Sequence, residues 1–197
     1  MDILMQAAKS WVNISKSCYI ITYGKSKKLH TVRIVFEDVD FYHLAGFQYL
    51  TDLALPAVSR AKMIATIFNT KLSGEYIKSG NRYSSMVETR LLALIDLECS
   101  LDNDFRMFRY NHSAYPFHTN IRTPEYLIEG KMLNNSLFFF TIKVDESYNG
   151  MSIFIKEDKD FSMYHRPLSI LKKEKVSIDT QNITILYDRL TTNSTST

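Results

Sequence analysis

The segment from Tyr126 to Glu157 constrains this chain most. YLIEGKM, SLFFFTIKVD and MSIFIKE are runs dense in β-branched and aromatic residues, separated only by the turn-rich pieces LNN and ESYNG. Runs this short do not make ordinary helices, and connections this short bring each strand back beside the one before it. Antiparallel hairpins are the expected product. NITILYD reads as a further strand, and CYIITYG and LHTVRIVFE flank GKSKK as an earlier hairpin with a lysine-rich tip.

Helical periodicity dominates elsewhere in the first half. Ile3, Leu4, Ala7, Ala8, Trp11 and Ile14 recur at helical spacing from Met1 to about Ser17. Asp38 or Asp40 can cap a helix holding FYHLAGFQYL, AVSRAKMIATIFNTKL runs helically to a stop at Gly74, and the serines of SGNRYSS can cap MVETRLLALIDLECSL. Phe105 to Pro124 shows no clean period and reads as loop, and LKKEK at 171–175 reads as a solvated surface patch. The expectation is an α+β fold, with N-terminal helices packed on a C-terminal antiparallel sheet of about four strands and a preceding β-hairpin. A single domain over residues 1–190 is expected, with a flexible tail at 191–197, because no Pro/Gly/Ser linker divides the chain and TTNSTST is of low complexity.

The chain has 197 residues, 45% of them apolar, which is ample for a core. A formal charge of +3 permits a polyanionic partner but falls short of a dedicated nucleic-acid coat. Cys18 and Cys99 stand far apart in apolar surroundings with no zinc-finger spacing, which points to a reducing compartment without structural zinc. The start has an acid at position 2 and no cationic lead, and no apolar run approaches a membrane span, so the expected location is cytoplasmic, away from membranes. P-loop, GxGxxG, GxSxG and HExxH motifs and a carboxylate-rich metal cluster are missing from the sequence, so neither a cofactor nor a metal is expected.

Polar residues on apolar stripes are the candidates for chemistry. His43 shares a helical stripe with Leu44, Phe47 and Leu50, and Arg90 shares one with Met86, Val87, Leu91 and Leu94. A packed histidine bonded to a backbone carbonyl, and an arginine that snorkels or pairs with an internal carboxylate, would account for both. Together, however, imidazole and guanidinium suit phosphate chemistry: one moves a proton near neutral pH, the other grips phosphate oxygens. FRYNHSAYPFH brings Arg109, His112 and Tyr115 together, and DFSMYHRP does so for Tyr164, His165 and Arg166. Aromatics interleaved with cations are what a single-stranded RNA site uses, and also ordinary loop composition.

FYHLAGFQYL resembles the Phe-x-His-Leu-x-Gly-Leu signature of a phage and mobile-element group of nuclease-like domains, in the wider class of barnase, EndoU, colicin tRNases and RelE. Ala45 and Phe47 stand where a Thr and a Leu are common, and the likeness continues more loosely through TRLLALIDL, YLIEGK and the Tyr of DFSMYHRP. What the resemblance implies is a helical part followed by a four-stranded antiparallel sheet, and toxin-like, metal-independent RNA cleavage by 2′-hydroxyl attack. On it, His43 is the general base or acid, Arg90 holds the scissile phosphate, and Tyr164 or Lys131 assists. RNA, and a host or antitoxin protein, are the implied partners. The competing expectation is a non-catalytic protein that uses the same scaffold to inhibit a host complex such as a defence nuclease.

Overall fold

The computed structural model describes residues 2–132 and 134–191. Helix α1 (Ile3–Ile14) opens the chain, capped by the Asp2 carboxylate, which accepts the Leu4 N–H at 2.9 Å; the helix itself buries Leu4, Ala7, Ala8, Trp11 and Ile14. Strands β1 (Ser17–Lys25) and β2 (Lys28–Ile34) follow as a hairpin. Its two-residue turn places Ser26 and Lys27 at positive φ, 51° and 61°, the handedness that matches strand twist. The remaining α-helices and strands of the described residues are α2 (Asp38–Leu44), α3 (Met63–Phe68), α4 (Gly74–Lys78), α5 (Glu88–Asp102), β3 (Phe105–Arg109), β4 (Tyr126–Lys131), β5 (Ser136–Val144), β6 (Ser147–Ile155), β7 (Ser169–Ser177) and β8 (Ile183–Asp188).

The sheet differs from the expected four antiparallel strands. Among the described residues it has eight, in the order β3-β4-β5-β6-β2-β1-β7-β8, and it is mixed, because β2 meets β6 in parallel. The early hairpin does not precede the sheet; it is the middle of it. β3 arises within the stretch expected to be loop and pairs with β4. The sheet also curls, since β3 meets the lead-in to β7 at Phe108 and Pro167, where the Leu168 N–H donates to the Met107 carbonyl at 2.7 Å. The main core, with Trp11, Tyr19, Phe41, Leu97 and Phe139, lies under α1 and α5. A second cluster of Phe108, Tyr110, Leu127, Phe138, Phe140 and Phe161 forms separately, on alternate residues of the same strands and thus on the sheet's other face.

LKKEK is likewise not a solvated patch but the middle of β7. Strand alternation turns Lys173 and Lys175 inward. The Lys173 ammonium donates to the carbonyls of Leu101 at 2.9 Å, Asp102 at 3.3 Å and Asn103, closing the C-terminal end of α5. Lys175 pairs with Glu98 and Asp102, each at 2.8 Å. Lys173→Met keeps the apolar stem but strands those carbonyls, and is expected to cost about 1–3 kcal/mol in chemical denaturation; an unchanged midpoint would show that water replaces the ammonium freely.

The expected long helix ahead of Gly74 is only α3, entered through a 3-10 turn at Arg60–Lys62, and Gly74 begins α4 rather than ending a helix. The Gly74 N–H donates to Asp2 at 2.9 Å, so one carboxylate anchors both helix starts. The expected tail lies, beyond Thr191, outside the described residues. Among the described residues no helix is long and apolar enough to cross a membrane.

Candidate active site

Strand β2 ends where β6 begins. Their pairing stops at Ile34 and Tyr148, with the Val35 N–H donating to the Tyr148 carbonyl at 3.0 Å, and the chain then turns into α2. From Asn149 onward, no strand among the described residues lies beside this edge of β6, so its backbone and side chains are met by other elements. Helix α2 and the start of α5 meet them. Asn149 donates to the Asp40 carboxylate at 3.0 Å, Leu44 packs against Gly150, His43 engages the Met151 backbone, and Arg90 donates to the Ser152 hydroxyl at 3.3 Å and the Ile153 carbonyl at 3.0 Å. A carboxylate, an imidazole and a guanidinium therefore succeed one another along five residues of one strand.

Arg90 is 9% exposed, and among the described residues no carboxylate pairs with it. Its guanidinium lies 5.4 Å from the centre of the Tyr49 ring and 5.7 Å from that of Phe154. Only one of its terminal nitrogens has an acceptor among the described residues, which leaves the rest of its fork to solvent or a ligand. Burial pulls its pKa down. Such a group is chemically able to receive an anion.

His43 is open to solvent on one side. Crowding on the other side, then the positive charges of Arg90 and Arg60, hold its pKa below the usual histidine value, against a smaller upward pull from the Met151 backbone. Asp40 shifts the other way: burial raises its pKa, although the bonds from Asn149 and the backbone oppose the rise.

The position of His43 depends on Gly46. Helix α2 stops at Leu44, so Phe47 and Leu50 do not continue a helical stripe from His43 as expected; they follow a reversal at Gly46, whose φ is 81°. A Cβ there would sit 2.7 Å from the Met86 carbonyl oxygen and 2.8 Å from the Arg90 Cδ. The glycine thus lets the end of α2 touch the residues that carry Arg90, which is why His and Gly stand three apart in this motif.

The other expected site residues stand apart from this pair. Lys131 ends β4, where its carbonyl accepts the Ser100 hydroxyl at 3.0 Å; Ser100 is ten residues beyond Arg90 on α5, about 15 Å along the helix. Tyr164 meets Tyr115 at 5.8 Å and Phe117 at 6.1 Å, and the rings of Phe161 and Phe154 stand between Phe117 and Arg90. Tyr115 donates to the Phe161 carbonyl at 2.9 Å, and His165 accepts the Asn111 N–H at 2.9 Å while stacking on Tyr110, so both are held within the second cluster. Arg109 pairs with Glu125 at 2.9 Å, His112 lies 3.3 Å from the Thr119 carbonyl, and Arg166 is exposed. Sequence reasoning missed Tyr49, Arg60 and Ser152. Tyr49 lies inside the quoted motif and could have been suspected, whereas nothing local marks the other two.

A family model described as phage-Barnase-EndoU-ColicinE5/D-RelE like nuclease 4 matches residues 3–194. The chain belongs to this family of nuclease-like proteins. Neither a curated protein nor a solved structure matches it. The family match spans α1 through β8, so the hairpin in the middle of the sheet and the lysine-bearing β7 are parts of this nuclease-like unit. Among the described residues, no group of three or more His, Cys, Asp or Glu is gathered as a metal site.

Proposed function

We propose that this phage nuclease-like protein is an endoribonuclease that cleaves by attack of the 2′-hydroxyl, with Arg90 on the scissile phosphate and His43 as general base. The observation that carries this reading is Arg90, buried beside a titratable imidazole, with part of its fork lacking a protein acceptor and no carboxylate among the described residues to neutralise it. The 2′-oxygen bonds to phosphorus as its proton passes to the neutral His43 ring. The bond from phosphorus to the 5′-oxygen breaks, and that oxygen takes a proton from solvent, leaving a 2′,3′-cyclic phosphate and a 5′-hydroxyl. Arg90 meets the charge that builds on the phosphoryl oxygens, so the step calls for no metal ion. Lys131 and Tyr164, held elsewhere, receive no step.

A pH–rate profile on an RNA oligonucleotide tests the role of His43. Its depressed pKa means that the ring is neutral by pH 7, so the rate should rise with pH and level off with a midpoint below about 6.5. The same shift acts on stability: between the folded and unfolded pKa values the unfolded chain binds the extra proton, so stability rises with pH across that window. A profile that falls through this range would reverse the assignment of His43 to acid, and absence of RNA cleavage at any pH would overturn the reading.

A further inference from the structure

His43 has two cationic neighbours, brought by different elements. Arg90 comes from α5 and is buried; Arg60 comes from the 3-10 turn Arg60–Lys62, which packs on α2, and is exposed. The Arg60 guanidinium lies over the ring of Tyr42, 5.5 Å from its centre, and Tyr42 immediately precedes His43. Tyr42 is itself braced edge-on by Phe47 at 5.6 Å, inside the same motif. The positive charges of both guanidiniums hold the His43 pKa down, and among the described residues neither has a carboxylate partner.

Two uncompensated cations around a group that must take up a proton oppose one another in the free protein. One phosphodiester carries a single negative charge, and Arg90 with its remaining donors already suffices to hold it. The second cation is accounted for by a second anion, and along a nucleic-acid strand the next anion is the neighbouring phosphate. A stacked guanidinium on a short turn is also preorganised, since the aromatic face restricts the long side chain before anything binds.

We propose that Arg60, braced on Tyr42, binds the phosphate adjacent to the scissile one, so that the site takes a strand with at least two consecutive phosphates in preference to an isolated linkage. This rests on the endoribonuclease reading, and the experiment separates the two. The full chain is assayed on a dinucleoside monophosphate and on the same compound carrying one additional terminal phosphate, tested at the 5′ and at the 3′ end. The additional phosphate should raise kcat/KM about tenfold or more at one of the two ends. Arg60→Gln should bring that ratio close to one, and Arg60→Lys should restore part of it. Because the ratio is taken at one pH within each variant, any change in the titration of His43 cancels.

Binding provides a readout that does not need turnover. With 2′-O-methyl versions of both compounds, which cannot be cleaved, fluorescence anisotropy should show the same preference, and Arg60→Gln should lessen the slope of log Kd against log salt by about 0.7 for the two-phosphate compound. A ratio near one in the unaltered protein, or a ratio that survives Arg60→Gln, overturns the role of Arg60 even if the enzyme is active. Binding preference through Arg60 with neither compound's cleavable form cut would instead leave the second-phosphate site standing and sink the catalytic reading.

Discussion

Replacing His43 by alanine is expected to lower RNA cleavage by roughly 10²-fold or more, the range for loss of a general base, while the melting temperature moves little. The two effects separate because His43 is open to solvent and its neighbours at the β6 edge are held independently, Asn149 by Asp40 and Ile153 by Arg90. The cleaved strand should end in a 2′,3′-cyclic phosphate or the 3′-phosphate it hydrolyses to. Cutting should persist in EDTA, and DNA should survive, since it lacks the attacking hydroxyl. Cleavage that requires Mg²⁺, extends to DNA, or continues undiminished in the alanine variant would rule out the mechanism. Loss of activity together with loss of folding would leave His43 structural, so circular dichroism of the variant belongs in the same experiment.

Gly46→Leu is expected to be among the most destabilising single changes in the chain. A left-handed φ of 81° costs a branched or bulky residue about 1–2 kcal/mol. Overpacking adds about 1–3 kcal/mol, because the new Cβ would fall 2.7 Å from a backbone oxygen that cannot swing aside, that of Met86. For a chain of this size the sum corresponds to a fall of roughly 5–15 °C in melting temperature. Activity should fall further than stability accounts for, since the same displacement parts His43 from Arg90. Gly46→Ala isolates the smaller intrusion and should lie between. A melting temperature untouched by leucine would mean that the end of α2 does not bear on α5.

Local chemistry alone determined a good part of this structure. Alternation and turn residues suffice for the β1–β2, β4–β5 and β5–β6 hairpins, because pairing between neighbours in sequence needs only a short loop and a period. The Asp2 cap and the apolar stripe of α1 are equally local. The motif from Phe41 to Gly46 is legible as a spacing, but the end of α2 at Leu44 and the reversal at Gly46 are not, since the sequence alone reads as one continuous helical stripe. What the sequence could not determine is which hairpins lie side by side. Ser17 pairs with Ser177, and Ile34 meets Tyr148; no residue near either strand announces such distant partners, and the edges that make those pairings look alike along the chain. Lys173 and Lys175 read as solvated for the same reason, since the carbonyls and carboxylates that receive them come from α5, about 70 residues earlier. The site was half legible. Arg90 and His43 could be singled out as polar residues in apolar company, but their meeting, the burial of one and the exposure of the other, and the presence of Arg60 follow from β6 running past the end of β2, an arrangement that exists only once the whole sheet has formed.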